Sequence, residues 1–278
     1  MRNDREAHES TLGFGRRAGN GALPSRSASL DSPRLVLDES LLEREGITHE
    51  REPNRLLAAL PFEDYERLML QCTRVELRLR DVLIAPRVPI PHVYFLQSGV
   101  ASVIVEGVEG AGIEAAAVGF EGFVGLPVLL GATSTTNRVF VQVAGHGWRL
   151  PAEAFRAFVD ATPALRHVLL RYSQYYIDEV SQSVACNARH NLEQRCARWL
   201  LMTNDRVHGS AFDLTHDFLA LMLGVHRPAA SLAMGAHQRA GLIHYSRGHI
   251  EVLDRKRLEE TACSCYRITR AALEQLLG

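Results

Sequence analysis

One stretch, FDLTHDFLALMLGVHRPAASLAMGAHQRAGLIHYSRGHIEVL from Phe212 to Leu253, limits what this chain can fold into more than any other. It reads as helix, tight turn, helix, hairpin. Thr215 stands where it can cap the first helix, and Asp217 lies in the first turn, favoured by the positive end of the helix dipole. Phe218, Leu219, Met222 and Leu223 recur at helical spacing and make one apolar face. Gly224, four residues after the small Ala220, suits a helix C-terminus, because glycine takes a left-handed backbone without steric cost. Arg227-Pro228 begins a second helix at once, proline being tolerated where the first-turn N–H has no partner. Ala229, Ala230, Leu232, Ala233 and Ala236 follow, and these mostly small residues let the second helix pack closely on the first. After Gly241, Leu242–Tyr245 and His249–Val252 read as two short strands around a Ser246-Arg247-Gly248 turn.

Two amphipathic helices with a glycine between them also make an ordinary αα-hairpin. The Ala220/Gly224 spacing, the immediate second helix and the arginine-tipped hairpin instead favour a winged helix-turn-helix. Such a unit lays its second helix in the DNA major groove, while the first helix and the wing touch phosphates. The candidate DNA contacts are then Thr215, His226, Arg227, Pro228, Ser231, Arg239 and Arg247. Arg227 leads as the base reader, since its planar fork bonds guanine O6 and N7 together. Arg255, Lys256 and Arg257 are further phosphate candidates.

At 278 residues the chain has room for two domains. A formal charge of −1 provides no bulk attraction to nucleic acid, so binding must rest on a local basic patch. No apolar run is long enough to span a bilayer, and the polar start MRNDREAHES does not resemble a signal peptide, so no membrane partner is expected. The five cysteines, an odd number, do not look like a disulfide framework; a reducing cytoplasm fits them.

In chain order, residues 1–50 carry Arg, Gly, Ser and charge without period, and are expected to be a disordered extension. Residues 51–160 begin with short helices around Leu56, Leu60 and Tyr65, then show closely spaced short strands at Val75–Leu79, His92–Leu96, Val100–Val105, Ile113–Val118, Arg138–Val143 and Trp148–Leu150. That series implies an antiparallel β-roll of jelly-roll type. Pro151–Val159 reads as a helix, and Pro163 opens a longer one reaching about Ala185; residues 161–188 are read as a dimerisation helix. Leu165, Leu169, Tyr172, Tyr176 and Val180 form its apolar stripe, assigned to a second copy of the chain, with packing on the chain's own β domain as the rival. Residues 189–278 hold a further helix, Asn191–Asp205, and the reading unit. The class is α+β.

A β-roll with VYFLQSGVASVIV at its centre, a long helix, and LTHDFLALMLGVHRPAASLA in a C-terminal reading unit resemble the Crp/Fnr regulators over about Asn54–Leu253. The resemblance implies a homodimeric transcription regulator on a palindromic DNA operator, with a sensing β domain and RNA polymerase as a further partner. Members that bind cyclic nucleotides hold ribose and phosphate with a Gly-Glu pair and an Arg-Ser step. Here VGFEGFVGLPVLLGATSTTNRVFVQV aligns with that cassette: Gly125 is kept, the glutamate position falls at Leu126, the serine position at Val139, and Arg138 stands about two residues further along. Leu126 cannot accept a hydrogen bond from a ribose hydroxyl, which argues against cyclic AMP. Gly125, Leu126, Arg138 and Val139 are the candidate effector site, with a small acidic ligand on Arg138 or a structural ion pair to Glu121 or Glu114 as its role.

In the reading helix Arg227 matches a base-reading position of the family, whereas Pro228 and Leu232 replace its neighbouring glutamate and later arginine. No cysteine precedes Cys72, which disfavours the iron–sulfur centre of the oxygen-sensing members. No cofactor is expected, and His92, His146 and His167 do not by themselves demand a haem. Cys263 and Cys265 are too few for structural zinc, which takes four ligands, and read as plain exposed thiols or as a redox or metal sensor. Two other readings stay open at this point: a constitutive DNA-binding repressor with a vestigial pocket, and a cupin-like metalloenzyme with histidines converging on a metal.

Overall fold

A computed structural model describes residues 52–106, 112–207 and 209–277, so the expected extension 1–50 lies outside the described residues. Two short helices, α1 (Arg55–Ala58) and α2 (Phe62–Met69), lead into the β domain. Asn54 fixes that entry. Its side-chain oxygen accepts from the amides of Leu56 and Leu57, capping α1, while Nδ2 donates to the carbonyls of Leu96 at 2.9 Å and Gly122 at 2.8 Å. The residue is fully buried, and every one of these bonds offsets the cost of taking an amide out of water.

Eight strands form two antiparallel four-stranded sheets. One runs in the order β1 (Thr73–Leu77), β8 (Gly145–Pro151), β3 (His92–Leu96), β6 (Phe123–Val124). The other runs β2 (Val82–Ile84), β7 (Arg138–Val143), β4 (Val100–Glu106), β5 (Gly112–Val118). Phe95, Phe123, Phe155 and Tyr172 are at the centre of the core between them. β2 and β6, three and two residues long, are too short to show a period in sequence. β4 departs from alternation, since Val100 to Ile104 are all buried. Ala101 and Val103 face the roll, whereas Ile104 belongs to a second core shared with the C-terminal helices, so both faces of this strand are covered.

After α3 (Leu126–Leu129) and α4 (Ala152–Ala161) comes α5 (Pro163–Arg189), 27 residues and therefore about 40 Å long. It runs four residues past the expected end, to His190, whose extended backbone breaks it. The stripe assigned to dimerisation is corrected here. Leu165, Leu169 and Tyr172 are fully buried within the chain's own core, and Tyr176 and Val180 pack at the edge of that core. The seam left outside is a different one: Leu170, Ile177 and Val184, seven residues apart, are 50%, 52% and 67% exposed.

Asn191 opens α6 (Leu192–Asn204) with a capping box, its side chain accepting from the Gln194 amide while Gln194 reaches back to the Asn191 amide. Then follow β9 (Ala211–Asp213), α7 (His216–Leu223), α8 (Arg227–Arg239), β10 (Ile243–Ser246), β11 (His249–Val252), α9 (Arg255–Thr261) and α10 (Cys265–Leu277). The wing has a third strand that the sequence pattern did not reveal, β9 pairing antiparallel with β11. α10 lies along α5, with Arg171 donating to the Gln275 carbonyl at 3.2 Å.

Candidate nucleic-acid interface

Thr215 caps α7 through its hydroxyl oxygen, which accepts from the Phe218 amide at 3.2 Å. Gly224 ends α7 at φ 63°, in the left-handed region, and a Cβ there would meet the Ile113 side chain at 2.6 Å. The chain turns through 105° between α7 and α8, within the range of helix-turn-helix units. α8 packs inward through Ala230, Ala233, Met234 and His237. Its outer face carries His226, Arg227, Pro228, Gln238 and Arg239, together with Leu232, an apolar side chain 71% exposed.

Arg227 Nε lies 3.4 Å from Asp217 Oδ1, and both side chains are about two-thirds exposed (66% and 68%). A pair of that kind contributes little and is readily given up to a partner. Ser231 is differently placed from the other candidates: its Oγ is 2.8 Å from His216 Nδ1, tying the reading helix to α7. The His216 ring in turn stacks on Tyr245 of the wing at 4.4 Å, and burial, then the nearby Arg227 charge, lowers its pKa. Arg247 stands at the tip of the wing with φ 50°, followed by Gly248 at φ 85°. Two successive positive φ values make a primed hairpin turn, which holds the arginine outward. Arg255 is not a phosphate contact in this arrangement. It is bound to Asp205, to Asn204 at 2.7 Å, to Glu259 at 3.0 Å and to Tyr266 at 2.7 Å, bracing α9 against α6. Lys256 and Arg257 are exposed.

In the β domain, Gly125, Leu126 and Val139 line a cavity of about 330 Å³ with Val103, Val118, Phe123 and Tyr176. Gly125 has φ 133°, and a Cβ there would fall 2.4 Å from Val93 Cγ1. Arg138 is not among the lining residues. Side chains alternate along β7, so Val139 points in and Arg138 out, where it pairs with Glu106 at 3.3 Å and lies over the Phe140 ring. Neither expected rival partner is used. Glu121 receives Arg206, and Glu114 accepts from Trp199 Nε1. Among the described residues, no basic side chain lines this cavity.

A group that sequence spacing did not bring together lies behind the reading unit. Cys186 and His190, one turn apart at the end of α5, meet Cys263 and Cys265 on the far side of the wing. The expectation of exposed thiols is corrected: Cys186, Cys263 and Cys265 are 1%, 4% and 1% exposed. The signal was the Cys-X-Cys step, but the partners it meets lie on a helix more than 70 positions earlier in the chain. No comparable group of His, Cys, Asp or Glu occurs in the β domain among the described residues.

Residues 194–261 match the Crp-like helix-turn-helix domain. Among curated proteins, no sequence matches the chain. Solved structures with the same fold include a chain from Eubacterium rectale assigned to the Crp/Fnr transcriptional regulators, 18% identical with a TM-score of 0.59, covering 74% of this chain and 96% of that one. A CRP/FNR-family transcriptional regulator from Thermus thermophilus is 24% identical with a TM-score of 0.57, covering 68% of this chain and 98% of its own. The c-di-GMP-responsive global regulator CLP of Xanthomonas campestris is 16% identical with a TM-score of 0.57, over 69% and 99%.

Proposed function

We propose that this chain is a Crp/Fnr-type DNA-binding transcription regulator that acts as a cytoplasmic homodimer on a two-fold symmetric operator, where it assists or blocks RNA polymerase. The observation that carries the reading is the exposed side of α8, with Arg227 at its N-terminus, Leu232 about a turn and a half further on and Arg247 projecting from the wing. A major-groove helix presents its N-terminal residues to base edges. Arg227 then reads a guanine, and Leu232, in place of a polar side chain, favours a thymine methyl group. Thr215, His226, Arg239 and Arg247 hold the frame on phosphates, Pro228, which has no N–H to donate, touches DNA through its ring alone, and Ser231 acts from within, by fixing α8 on His216. The dimer seam is Leu170, Ile177 and Val184, because a heptad of exposed aliphatic residues on a long helix is what a second copy covers.

The β-domain cavity suits an apolar or uncharged molecule rather than a cyclic nucleotide. Its lining offers Ser134, Thr135 and Asn137 as the polar groups, and Tyr176 of α5 forms part of the wall, so an occupant would press on the dimer helix directly. A second reading, constitutive DNA binding, is favoured by the outward turn of Arg138, which leaves an anionic effector without a cation. Selection from randomised duplexes with purified protein, at two salt concentrations and without added ligand, tests both. A palindromic site enriched at the higher salt supports constitutive binding. Enrichment only after a cell-extract small-molecule fraction is added supports a ligand-gated regulator. Binding that stays unselective in both arms overturns the helix-turn-helix assignment.

A further inference from the structure

We propose that Cys186, His190, Cys263 and Cys265 bind one zinc ion, and that this ion fixes the DNA-reading unit to the end of the long helix. The four donor atoms come from two separate parts of the chain and lie within 4.8 Å of one another. Cys186 Sγ is 3.4 Å from Cys263 Sγ, and Cys265 Sγ is 3.5 Å from His190 Nδ1. A tetrahedral zinc with Zn–S of about 2.3 Å and Zn–N of about 2.0–2.1 Å has donor-to-donor edges of about 3.5–3.8 Å. Seating the ion therefore needs shifts of only a few tenths of an ångström at these contacts.

The ligand chemistry agrees with the distances. Three thiolates and an imidazole are a soft set that suits zinc, while calcium and magnesium take oxygen. All four protein positions are filled and the sulfurs are buried, which describes a closed structural site rather than a catalytic one with an open position. An iron–sulfur cluster spreads its four ligands around several metal atoms, and donors this close together do not leave room for it. Buried cysteine is common as a small apolar residue, yet that does not explain why a histidine and three sulfurs meet at one point.

The surroundings complete the site. Gln182 Nε2 donates to Cys265 Sγ at 3.0 Å, the kind of outer hydrogen bond that steadies a thiolate ligand. Arg198, 8% exposed and lining the same cleft as Cys186, offsets the single negative charge that three thiolates leave on a zinc ion. Binding converts thiols to thiolates, so zinc enters as protons leave to solvent.

The position gives the site its consequence. His190 lies at the break between α5 and α6, and Cys263 and Cys265 stand where α9 gives way to α10. Zinc would therefore lock the angle between the dimer helix and the reading unit. That consequence rests on the DNA-binding reading proposed above, whereas the metal site itself does not.

The test uses the full chain purified under reducing conditions. Metal analysis should give about one zinc per chain, lost from Cys265→Ser and from His190→Ala. In case those variants fold poorly, exchange of the wild-type protein into Co²⁺ should give the visible bands and thiolate charge transfer of a tetrahedral sulfur-rich site. Protein that takes up neither Zn²⁺ nor Co²⁺ overturns the proposal. So does iron with acid-labile sulfide, or a Cys186–Cys263 disulfide found by peptide mapping of protein isolated in parallel without reductant and with its free thiols alkylated at lysis. With a selected operator in hand, chelation should weaken specific binding on the order of tenfold, restored by Zn²⁺. Zinc bound stoichiometrically with unchanged operator affinity upholds the site and overturns the coupling. Wild-type protein that holds zinc but never selects DNA upholds the site and defeats the regulator reading alone.

Discussion

Arg206 Nε donates to Glu121 Oε1 at 2.7 Å, with both side chains almost wholly shut off from water. Glu121 lies in the loop after β5 and Arg206 just beyond α6, so one ion pair joins the β domain to the helix that carries the reading unit. The guanidinium also reaches Glu179 of α5 at 3.4 Å, the Tyr175 hydroxyl at 3.5 Å and the Met202 carbonyl at 3.2 Å. One cation thus links all three parts of the molecule.

Removing that cation leaves two buried carboxylates facing each other. Arg206→Met should cost about 3–5 kcal/mol, as breaking one side of a buried pair does. Replacing the acids as well, in Arg206→Met with Glu121→Gln and Glu179→Gln, should recover much of the loss, because the stranded charges are then gone. Urea unfolding of the single and triple variants measures it. Equal destabilisation of the two would mean that the cost is packing and not charge.

Glu114 predicts a pH dependence at the same junction. Burial pushes its carboxyl up to about 7 from 4.5, against hydrogen bonds from Ser102 and Trp199 that pull it down. The folded state holds this proton more tightly than the unfolded chain. The contribution is therefore fully present below about pH 4.5 and is lost as pH rises through 7, on the order of 3 kcal/mol at about 1.4 kcal/mol per unit. His216 and His237, whose pKa burial lowers, act in the opposite direction. Comparison with Glu114→Gln cancels them: the stability difference between variant and wild type should grow in the variant's favour from about pH 5 to about pH 7.5. A difference that stays flat across this range rules out Glu114 as the titrating group.

What the sequence disclosed was whatever is local. The reading unit follows from a cap at Thr215, a left-handed stop at Gly224 and a proline start at Pro228, each a property of a few adjacent residues. The longer strands of the roll follow from alternation in the same way. The proposed dimer face could not be read so directly, since a helix with two apolar stripes does not say which one its own domain covers. Tyr172 is buried against Phe123 at 5.5 Å, a contact between distant parts of the chain that only the fold reveals. Arg138 does make a structural ion pair, but with Glu106 and not with Glu121 or Glu114, and register keeps it from the cavity, one residue along β7 separating the lining from the outer face. The cysteines and His190 meet for the same non-local reason: α5 runs a further turn, and α10 folds back along it.

The two stripes of α5 can be told apart experimentally. Ile177 is 52% exposed in the single chain, so Ile177→Asp should leave monomer stability within about 0.5 kcal/mol while placing a carboxylate in the middle of the seam. Sedimentation equilibrium should then show monomer where the wild type shows dimer. Tyr172→Ala should instead destabilise the chain itself by about 3–5 kcal/mol, as a fully buried aromatic does. A folded Ile177→Asp protein that remains dimeric would move the interface off this seam.

Arg227, Leu232 and Arg247 should separate reading from holding. Arg227→Ala is expected to cost about 1–3 kcal/mol on the selected operator and to relax preference at one base pair in each half-site. Leu232→Ala should weaken discrimination for thymine at a neighbouring position, because the lost contact is apolar and has no counterpart on cytosine. Arg247→Ala should weaken operator and unrelated duplex by the same factor and reduce the salt slope by about 1 for each phosphate released. Binding measured on matched and mutated sites over a salt series resolves the three. Asp217 supplies an internal control, since its pairing with Arg227 competes with the base. Asp217→Asn should leave the sequence preference intact and raise affinity modestly, whereas a drop would mean that the pair positions Arg227 for reading.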